Sequence, residues 1–488
     1  MTNSSGIHPD FTPLAWQRGL FMALGAIICF HLAYTPAQSG IWSLAILGYV
    51  LGITQLARMR TVRQSVYTTV VVGLACYAPQ LECFWRIFGP AAIPLWLVLA
   101  IWLAAFVALT RLALIKLGPK RAALLVPFLW TGLEYFRSEL YYLKFSWMNV
   151  GYALSELTFV SWQYVGVYGV GFLASALVAG SFVVRREHLR RITLIELLVI
   201  IAIIGVLAGL LFSTVSHMRN IAKPNLILTG VQLEFPDSSK VIEALDKSVR
   251  VPKEEQRLWL NDSTNINIVV LPEYTLDGEP SDALKDWCRT NQKFLIVGGK
   301  DNSPGTNYFN TAYVIGTNGT IVFQQVKRKP IQFFKDGLPA SEQKVWDSPW
   351  GKIGICICYD LSYTRITDEL IRQGAQMLIV PTMDVESWGA HQHNLHARIA
   401  PVRAAEYGVP IFRVASSGIS QGVDRSGEVR ATAPFPGEGE VIFFGAHIGK
   451  PGTLPMDRWL APVCVCVTAG FVVYLVIGLF QRSRQTAA

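Results

Sequence analysis

Charge is what this sequence has least of. Asp, Glu, Lys and Arg make up 16% of its 488 residues, against about 25% in an ordinary soluble domain. Cysteine is sparse too, with eight in the whole chain, which excludes a disulfide-dense secreted scaffold. No internal repeat or low-complexity tract is present. With 51% hydrophobic residues the chain is also excluded from the disordered class, whose signature is low hydrophobicity. A net charge of +9 and a pI near 9.1 invite a nucleic-acid reading. The distribution of charge removes it: residues 1–216 hold 15 Lys/Arg and 7 Asp/Glu, whereas residues 217–488 hold 28 and 27. The basicity belongs to the apolar part of the chain, and two chemical regimes meet near His217.

A membrane helix needs about 20 mostly apolar residues. Seven apolar stretches precede the join, at about 16–34, 41–57, 66–85, 91–115, 122–136, 158–184 and 192–214, and an eighth lies at about 459–480. Pro127 and Glu134 interrupt the fifth. The first has neither a basic n-region nor an A-x-A site, so it reads as a retained span. With the N-terminus in the cytoplasm, the inner segments hold Arg18; Arg58, Arg60 and Arg63; Arg111, Lys116, Lys120 and Arg121; and Arg185, Arg186, Arg190 and Arg191. The outer loops hold only Arg86, Arg137 and Lys144. Twelve against three is the bias that the positive-inside rule expects. The seventh stretch imitates the start of a type IV prepilin, but Arg191 stands where that start requires glycine. The expectation is therefore a polytopic α-helical membrane bundle of about eight spans: seven within residues 1–216, and a last one in residues 458–488 with a short cytoplasmic tail. Residues 217–457 fall outside, and both termini inside.

From Asn225 the pattern becomes short apolar strands closed by turn residues, at 225–233, 266–272, 293–299, 309–316, 320–327, 351–358, 375–381, 409–416 and 439–444. Amphipathic helical stretches at 238–260, 281–292, 364–374 and 391–407 lie between several of them. This alternation predicts an α/β or α+β domain with its own core. Three strand ends carry chemistry: Glu273 in LPEY, the basic cluster Lys327-Arg328-Lys329, and Cys358 in ICICYD. Taken singly, each has a structural explanation: a solvated loop acid, a charged strand edge, a small buried hydrophobe. Their joint occurrence in the order Glu, Lys, Cys points to thiol chemistry. Cys356 is expected on the same strand face as Cys358, as a packing neighbour or half of a C-x-C pair.

In that order the set resembles the Glu–Lys–Cys of the nitrilase superfamily, and the chain as a whole is similar to the apolipoprotein N-acyltransferase family. In the membrane section, Pro127–Gly180 carries P…E-x-x-R, F-x-W-x-x-x-G-Y and G-x-Y-G-x-x-F. LPEYTL, ICICYDLSY, His396…Arg403-Ala404…Glu406 and Asp424–Val429 complete the match. The resemblance implies an extracytoplasmic nitrilase-type α-β-β-α sandwich. Counting eight residues on from Gly319 places the family's lysine at Lys327, with Lys329 as the alternative. The second acid expected eight residues further falls on Lys335, and a one-residue slip makes it Asp336. Asp360 stands where the family has glutamate, KPIQFFKD replaces H-L-V-P-F-G-E, TMDVESWG replaces N-D-x-W-F-G, and the tryptophan expected near Val241 is missing.

What the resemblance implies is a ping-pong acyl transfer without a cofactor or metal. Glu273 serves as general base, Cys358 as nucleophile and Lys327 as oxyanion donor together with the N–H of Tyr359. Asp336 or Asp360 orients the lysine or carries protons. The acyl donor is a membrane phospholipid and the acceptor an S-diacylglyceryl-cysteine lipoprotein, at the bacterial inner membrane with the catalytic domain on the periplasmic side. Phe145 and Trp147, in the aromatic segment 141–152, are expected either to bind lipid substrate or to form a structural aromatic belt. Two other readings stay open: a membrane-tethered carbon–nitrogen hydrolase using water, and a non-catalytic membrane scaffold.

Overall fold

The computed structural model describes residues 7–35, 40–157, 160–182, 226–249, 266–446 and 448–487. The seventh apolar stretch and residues 250–260 of the first amphipathic one lie outside these. The chain divides into two compact units, Met1–Arg219 with Pro455–Ala488, and Asn220–Leu454.

The first unit is helical. Among the described residues, four helical segments are long and apolar enough to cross a membrane: Trp16–Tyr34, Cys83–Leu140, Trp162–Phe182 and Asp457–Gln481. Ile41–Leu56 is apolar but shorter. Val62–Gln80 fills the third stretch, but its first turns carry Gln64, Ser65, Thr68 and Thr69 and it is not among the four. The fourth and fifth stretches run together as Ala92–Tyr135, interrupted by Gly118 at φ 79°. Only glycine takes that conformation at no steric cost, and Pro119 behind it has no N–H to continue the ladder. The break therefore falls between the two stretches, and Pro127 lies inside a continuing helix.

Several polar side chains inside this unit are hydrogen-bonded, which lowers the cost of burying them. Asn149 Oδ1 accepts from Arg137 at 2.5 Å and from Ser138 Oγ at 3.0 Å. Glu134 Oε1 accepts the N–H of Val150 at 3.0 Å, and the Tyr168 hydroxyl donates to Glu139 at 3.0 Å. Asp457, heading the last helix, accepts the N–H of Tyr168 at 2.9 Å. Gly166 (φ 71°) leaves room there, since a Cβ would lie 2.2 Å from that carboxylate.

The second unit contains two six-stranded sheets. The strands are β1 Leu226–Gln232, β2 Ile268–Val270, β3 Phe294–Asp301, β4 Phe309–Ile315, β5 Ile321–Val326, β6 Val345–Ser348, β7 Gly351–Ile355, β8 Met377–Thr382, β9 Ile411–Ala415, β10 Gln421–Val423, β11 Val429–Thr432 and β12 Gly439–Ala446. Their orders are β12-β1-β2-β3-β4-β5 and β11-β10-β9-β8-β7-β6. In each sheet three parallel strands lie at the centre (β1, β2, β3 and β7, β8, β9) with antiparallel strands outside. Period-2 alternation sends Leu226, Leu228, Ile268, Val270, Ile353, Ile355, Met377, Ile379, Phe412 and Val414 into one core between the sheets. The other face of the first sheet (Ile227, Val231, Val269, Leu295, Val297) packs on helices Ser238–Ser248 and Asp282–Asn291 through Leu245, Leu284 and Trp287. Helices Thr364–Arg372 and Ile399–Tyr407 pack on the second sheet.

The nine predicted strands are all present. The three unforeseen ones, β6, β10 and β11, have only three or four residues, too few for alternation to register. The stretch 391–407 is two helices, Ala390–Ala397 and Ile399–Tyr407, with Pro401 in the first turn of the second.

The carboxyl ends of β2, β7 and β8 lead into Glu273, Cys358 and Met383 respectively, the position at which open α/β sheets collect ligands. On β3, Gly298 allows this close packing. A Cβ there would stand 2.5 Å from Glu273 Cα and 2.6 Å from the Pro272 carbonyl oxygen. Gly298→Ala is expected to lower stability by about 1–3 kcal/mol through overpacking, read by thermal unfolding of the purified protein. An unchanged midpoint would mean that the Pro272–Tyr274 segment can retreat freely.

Candidate active site

Glu273, Lys327 and Asp336, separated by up to 63 positions in sequence, meet with fully buried side chains. Lys327 Nζ lies 2.7 Å from Glu273 Oε1 and 2.7 Å from Asp336 Oδ2. Two of the three ammonium donors are thereby engaged, leaving one. Asn310, at the start of β4, donates through Nδ2 to Glu273 Oε1 at 2.6 Å and to Asp336 Oδ1 at 2.9 Å. The Tyr274 hydroxyl donates to Asp336 Oδ1 at 2.7 Å, and the N–H of Ile331 to Oδ2 at 2.7 Å.

Cys358 is buried and opens a short helical turn with φ 51°. Tyr274, directly after Glu273, has φ 57°. Non-glycine residues held in this region store local strain, which the surrounding structure has to sustain. The left-handed turn also breaks the strand alternation: Cys358 joins Ile355 and Ile357 in the inter-sheet core, whereas Cys356 does not. The two thiols therefore do not share a strand face, contrary to the sequence expectation. Among the described residues no group of three or more His, Cys, Asp or Glu is placed to hold a metal.

Glu273 and Cys358 meet across the backbone of one residue, Met383. The N–H of Met383 donates to Glu273 Oε2 at 2.8 Å, and Cys358 Sγ lies 3.7 Å from the carbonyl oxygen of Met383. Sequence reasoning did not find Met383, because its contribution is backbone. Asn310 was missed as well; the only available signal was a carboxamide inside an otherwise apolar strand.

The remaining predicted residues divide. Of the two acids expected to orient the lysine or carry protons, Asp336 is the one that pairs with its ammonium; the hydrogen bonds of Asp360 are to backbone. Its oxygens accept the N–H groups of Lys329 at 2.7 Å, Arg328 at 3.0 Å and Ile357 at 3.3 Å, so it ties the chain after Lys327 to the Cys358 turn. Lys329 thus enters the site through its backbone. Tyr359 stacks edge-on against Tyr363 at 5.0 Å. Phe145 and Trp147 belong to the helical unit, where both are buried and pack on each other, with Phe84 against Phe145.

Electrostatics follow from burial. Two carboxylates and one ammonium leave the cluster with an excess negative charge. Burial pushes the Glu273 carboxyl up, Asp336 adds to this, and Lys327 and Asn310 only partly offset it. For Lys327, burial works against the charged form, but Asp336 and Glu273 outweigh it and hold the ammonium protonated. Burial, then Glu273, raises the Cys358 thiol well above its ordinary 9.0, with Lys327 opposing. Asp360 is pushed up to about 6 by burial, against the pull of its three backbone donors. The resting thiol is thus protonated and stands beside a carboxylate with enhanced basicity.

Next to Glu273 and Met383 opens a cavity of about 530 Å³. Tyr274, Lys300, Tyr308 and Lys335 line one part of it, and Phe235, Phe334, Met383 and Trp388 another. Phe235 and Phe334 are exposed. The loops that differ from the family pattern, KPIQFFKD and TMDVESWG, supply several of these residues.

Comparison with known proteins bears on both units. The carbon-nitrogen hydrolase family matches residues 252–443, and the apolipoprotein N-acyltransferase N-terminal domain matches residues 26–180. An apolipoprotein N-acyltransferase of Shewanella oneidensis is 25% identical over 479 residues, covering 86% of this chain and 89% of its own. One from Geobacter metallireducens is 22% identical over 478 residues, covering 88% and 89%. A deaminated glutathione amidase of Dictyostelium discoideum is 31% identical over 172 residues, 31% of this chain and 59% of its own. Among solved structures, a carbon-nitrogen hydrolase from Helicobacter pylori aligns at 18% identity and a TM-score of 0.37, covering 44% of this chain and 88% of its own.

The raised thiol has a measurable consequence. Iodoacetamide reacts with thiolate, so the alkylation rate of Cys358, followed by mass spectrometry, should keep rising through pH 9.0, the ordinary value for the group. A plateau reached by about pH 7 would instead mark a preformed thiolate of the activated kind.

Proposed function

The chain belongs to the apolipoprotein N-acyltransferase family within the nitrilase superfamily, and on that premise we propose that it moves an acyl chain from a membrane phospholipid, through a thioester on Cys358, to the N-terminal amine of an S-diacylglyceryl-cysteine lipoprotein. The observation that carries the reading is the buried Glu273–Lys327–Asp336 cluster joined to Cys358 through the Met383 peptide.

In the first half-reaction Glu273 takes the Cys358 proton as Sγ attacks the acyl ester carbonyl. The excess negative charge of the cluster makes that proton welcome, which is what a general base for a raised thiol needs. The oxyanion meets the remaining N–H of Lys327 and the backbone N–H after Cys358. Collapse breaks the ester C–O bond, and Glu273 returns its proton to the departing lysophospholipid oxygen. In the second half-reaction the lipoprotein amine attacks the thioester and gives up a proton to Glu273. The C–S bond breaks, and the proton passes to the leaving sulfur. Asp336 keeps Lys327 charged throughout, Asp360 holds the backbone of Arg328 and Lys329 in place, and Tyr359 supplies the oxyanion N–H. The charge and burial of Lys327 favour it over Lys329 as the catalytic lysine. For Phe145 and Trp147, burial and their mutual contact favour the structural role over lipid binding.

Both substrates are lipids, which accounts for apolar helices in an enzyme chain and for phenylalanines exposed beside the cavity. The arrangement proposed is about eight spans in residues 1–216 and 458–488 and a catalytic domain in residues 217–457. That domain lies on the outer face of a bacterial inner membrane, with both termini in the cytoplasm. Its support is the bias of Lys and Arg among the loops and the family membership.

Purified protein given radiolabelled phospholipid should form a hydroxylamine-sensitive acyl adduct that Cys358→Ala abolishes. Absence of the adduct from the native chain would overturn the acyl-transfer reading. Discharge by water as fast as by a diacylglyceryl peptide would replace it with a hydrolase. Lys327→Ala should lower adduct formation by a factor of about 100 or more, in the range seen for loss of an oxyanion donor, while Lys329→Ala retains it; the opposite pattern reverses the assignment.

A further inference from the structure

Behind the Met383 peptide lies a buried charged cluster that the reaction above does not use. Asp384 Oδ1 accepts from His396 Nδ1 at 2.8 Å and from Gln392 Nε2 at 3.0 Å, while Oδ2 accepts from Arg413 Nη2. Asp384, His396 and Arg413 are each at most 2% exposed. They come from three places: the end of β8, helix Ala390–Ala397 and β9. Buried ion pairs contribute little net stability compared with apolar packing of the same volume, so the fold alone gives no reason for a cluster at this position.

The neighbouring backbone supplies one. Thr382 O accepts the Ser416 N–H at 3.1 Å. The Asp384 N–H donates to Ser416 Oγ at 3.0 Å, and the Asp384 carbonyl oxygen accepts from Ser416 Oγ at 3.0 Å and from the Ser417 N–H at 3.1 Å. The two peptide units that flank Met383 are therefore both pinned, and the Asp384 side chain is clamped from two further elements. The N–H and C=O of Met383 face the reacting groups, one toward Glu273 and the other toward Cys358, and the Asp384 charge also raises the Cys358 thiol. Gly418 closes the packing, since a Cβ there would stand 2.6 Å from Asp384 Cβ.

We propose that Asp384, clamped by His396 and Arg413, is a positioning residue that sets the placement of Glu273 relative to Cys358 through the backbone of Met383. The inference rests on the reading of those two residues as base and nucleophile. Charge in the cluster is balanced without help from solvent. Burial opposes ionisation of Asp384, but His396 and Arg413 together hold its carboxyl below the usual range. Burial, with Arg413, keeps His396 below its ordinary value although Asp384 pulls the other way. The imidazole packs against both clamped groups, with Nδ1 2.8 Å from Asp384 Oδ1 and 3.0 Å from Arg413 Nη2.

The test uses the full-length protein in detergent and three variants. Asp384→Asn keeps the shape but removes the charge. His396→Ala removes the donor, and His396→Asn restores an amide N–H where Nδ1–H stands. Asp384→Asn and His396→Ala should each lower kcat for acyl transfer by about 10- to 100-fold, the loss expected when reacting groups shift by about 1 Å. KM should stay within about two-fold, since no substrate contact is removed. Both variants should also flatten the pH dependence of Cys358 alkylation, and His396→Asn should recover most of the rate and the profile. A purely structural cluster would lower the unfolding temperature while leaving kcat per folded molecule and the alkylation profile as in the native chain, and that result overturns the proposal. Should Asp384→Asn fail to fold, the two His396 variants decide. Alkylation needs no acyl substrate, so the positioning role is judged even if acyl transfer itself is not observed.

Discussion

One ammonium group buried between two carboxylates organises the chemistry of this protein. Lys327 reaches Glu273 and Asp336 at 2.7 Å each with no access to solvent, and burial of unpaired charge on that scale would be prohibitive. The constraint spreads outward from there. Asn310 and Tyr274 have to donate to the carboxylates, Gly298 has to stay small enough for the Pro272–Tyr274 segment to lie on β3, and the chain after Lys327 has to be tied down by Asp360. Because the acids outnumber the ammonium, the cluster has a standing appetite for a proton. That property agrees with the role proposed for Glu273 as a base toward a thiol that burial raises.

The second unit divides its work between strands and loops. Chemistry sits where the parallel strands β2, β7 and β8 end, while the adjoining cavity is built from loops that carry both lysines and aromatic rings. Strands give the reacting groups fixed positions, and loops give the cavity its chemical character. This division accounts for where the chain departs from its family. The buried Glu, Lys and Cys stand in their expected order, whereas the divergent segments KPIQFFKD and TMDVESWG lie on the loops, where change does not disturb the sheet register. In the helical unit the resembling motifs hold Glu134, Arg137, Asn149 and Tyr168, whose hydrogen bonds run to each other, to Glu139 and to backbone.

Much of this was legible in the sequence, and the reasons differ by residue. Strands such as β1, β3 and β8 were visible because five or more apolar residues between turn signals leave few alternatives, while β6, β10 and β11 are too short to show a period. Apolar runs marked helices, but length and composition do not set how many cross a bilayer: Val62–Gln80 is a helix of sufficient length with polar first turns. Gly118, rather than Pro127, divides the long helical run, since positive φ breaks a helix more completely than a proline accommodated within it. Asp336 was reachable only by allowing a one-residue slip, because a loop's length does not reveal which of its acids faces inward.

Local pattern and residue type were enough to mark the two chemical regimes, the alternating α/β order of the second, and the candidate acid, basic cluster and thiol at its strand ends. Tertiary structure decided the rest. It chose Lys327 over its neighbour as the charge within reach of Glu273, moved Asp360 from the lysine to the backbone, separated Cys356 from Cys358, and brought in Asn310, the Met383 peptide and the Asp384 clamp. These contacts join residues 54 and 110 positions apart. They are set by the register of two packed sheets and by one left-handed turn, neither of which leaves a mark on local spacing.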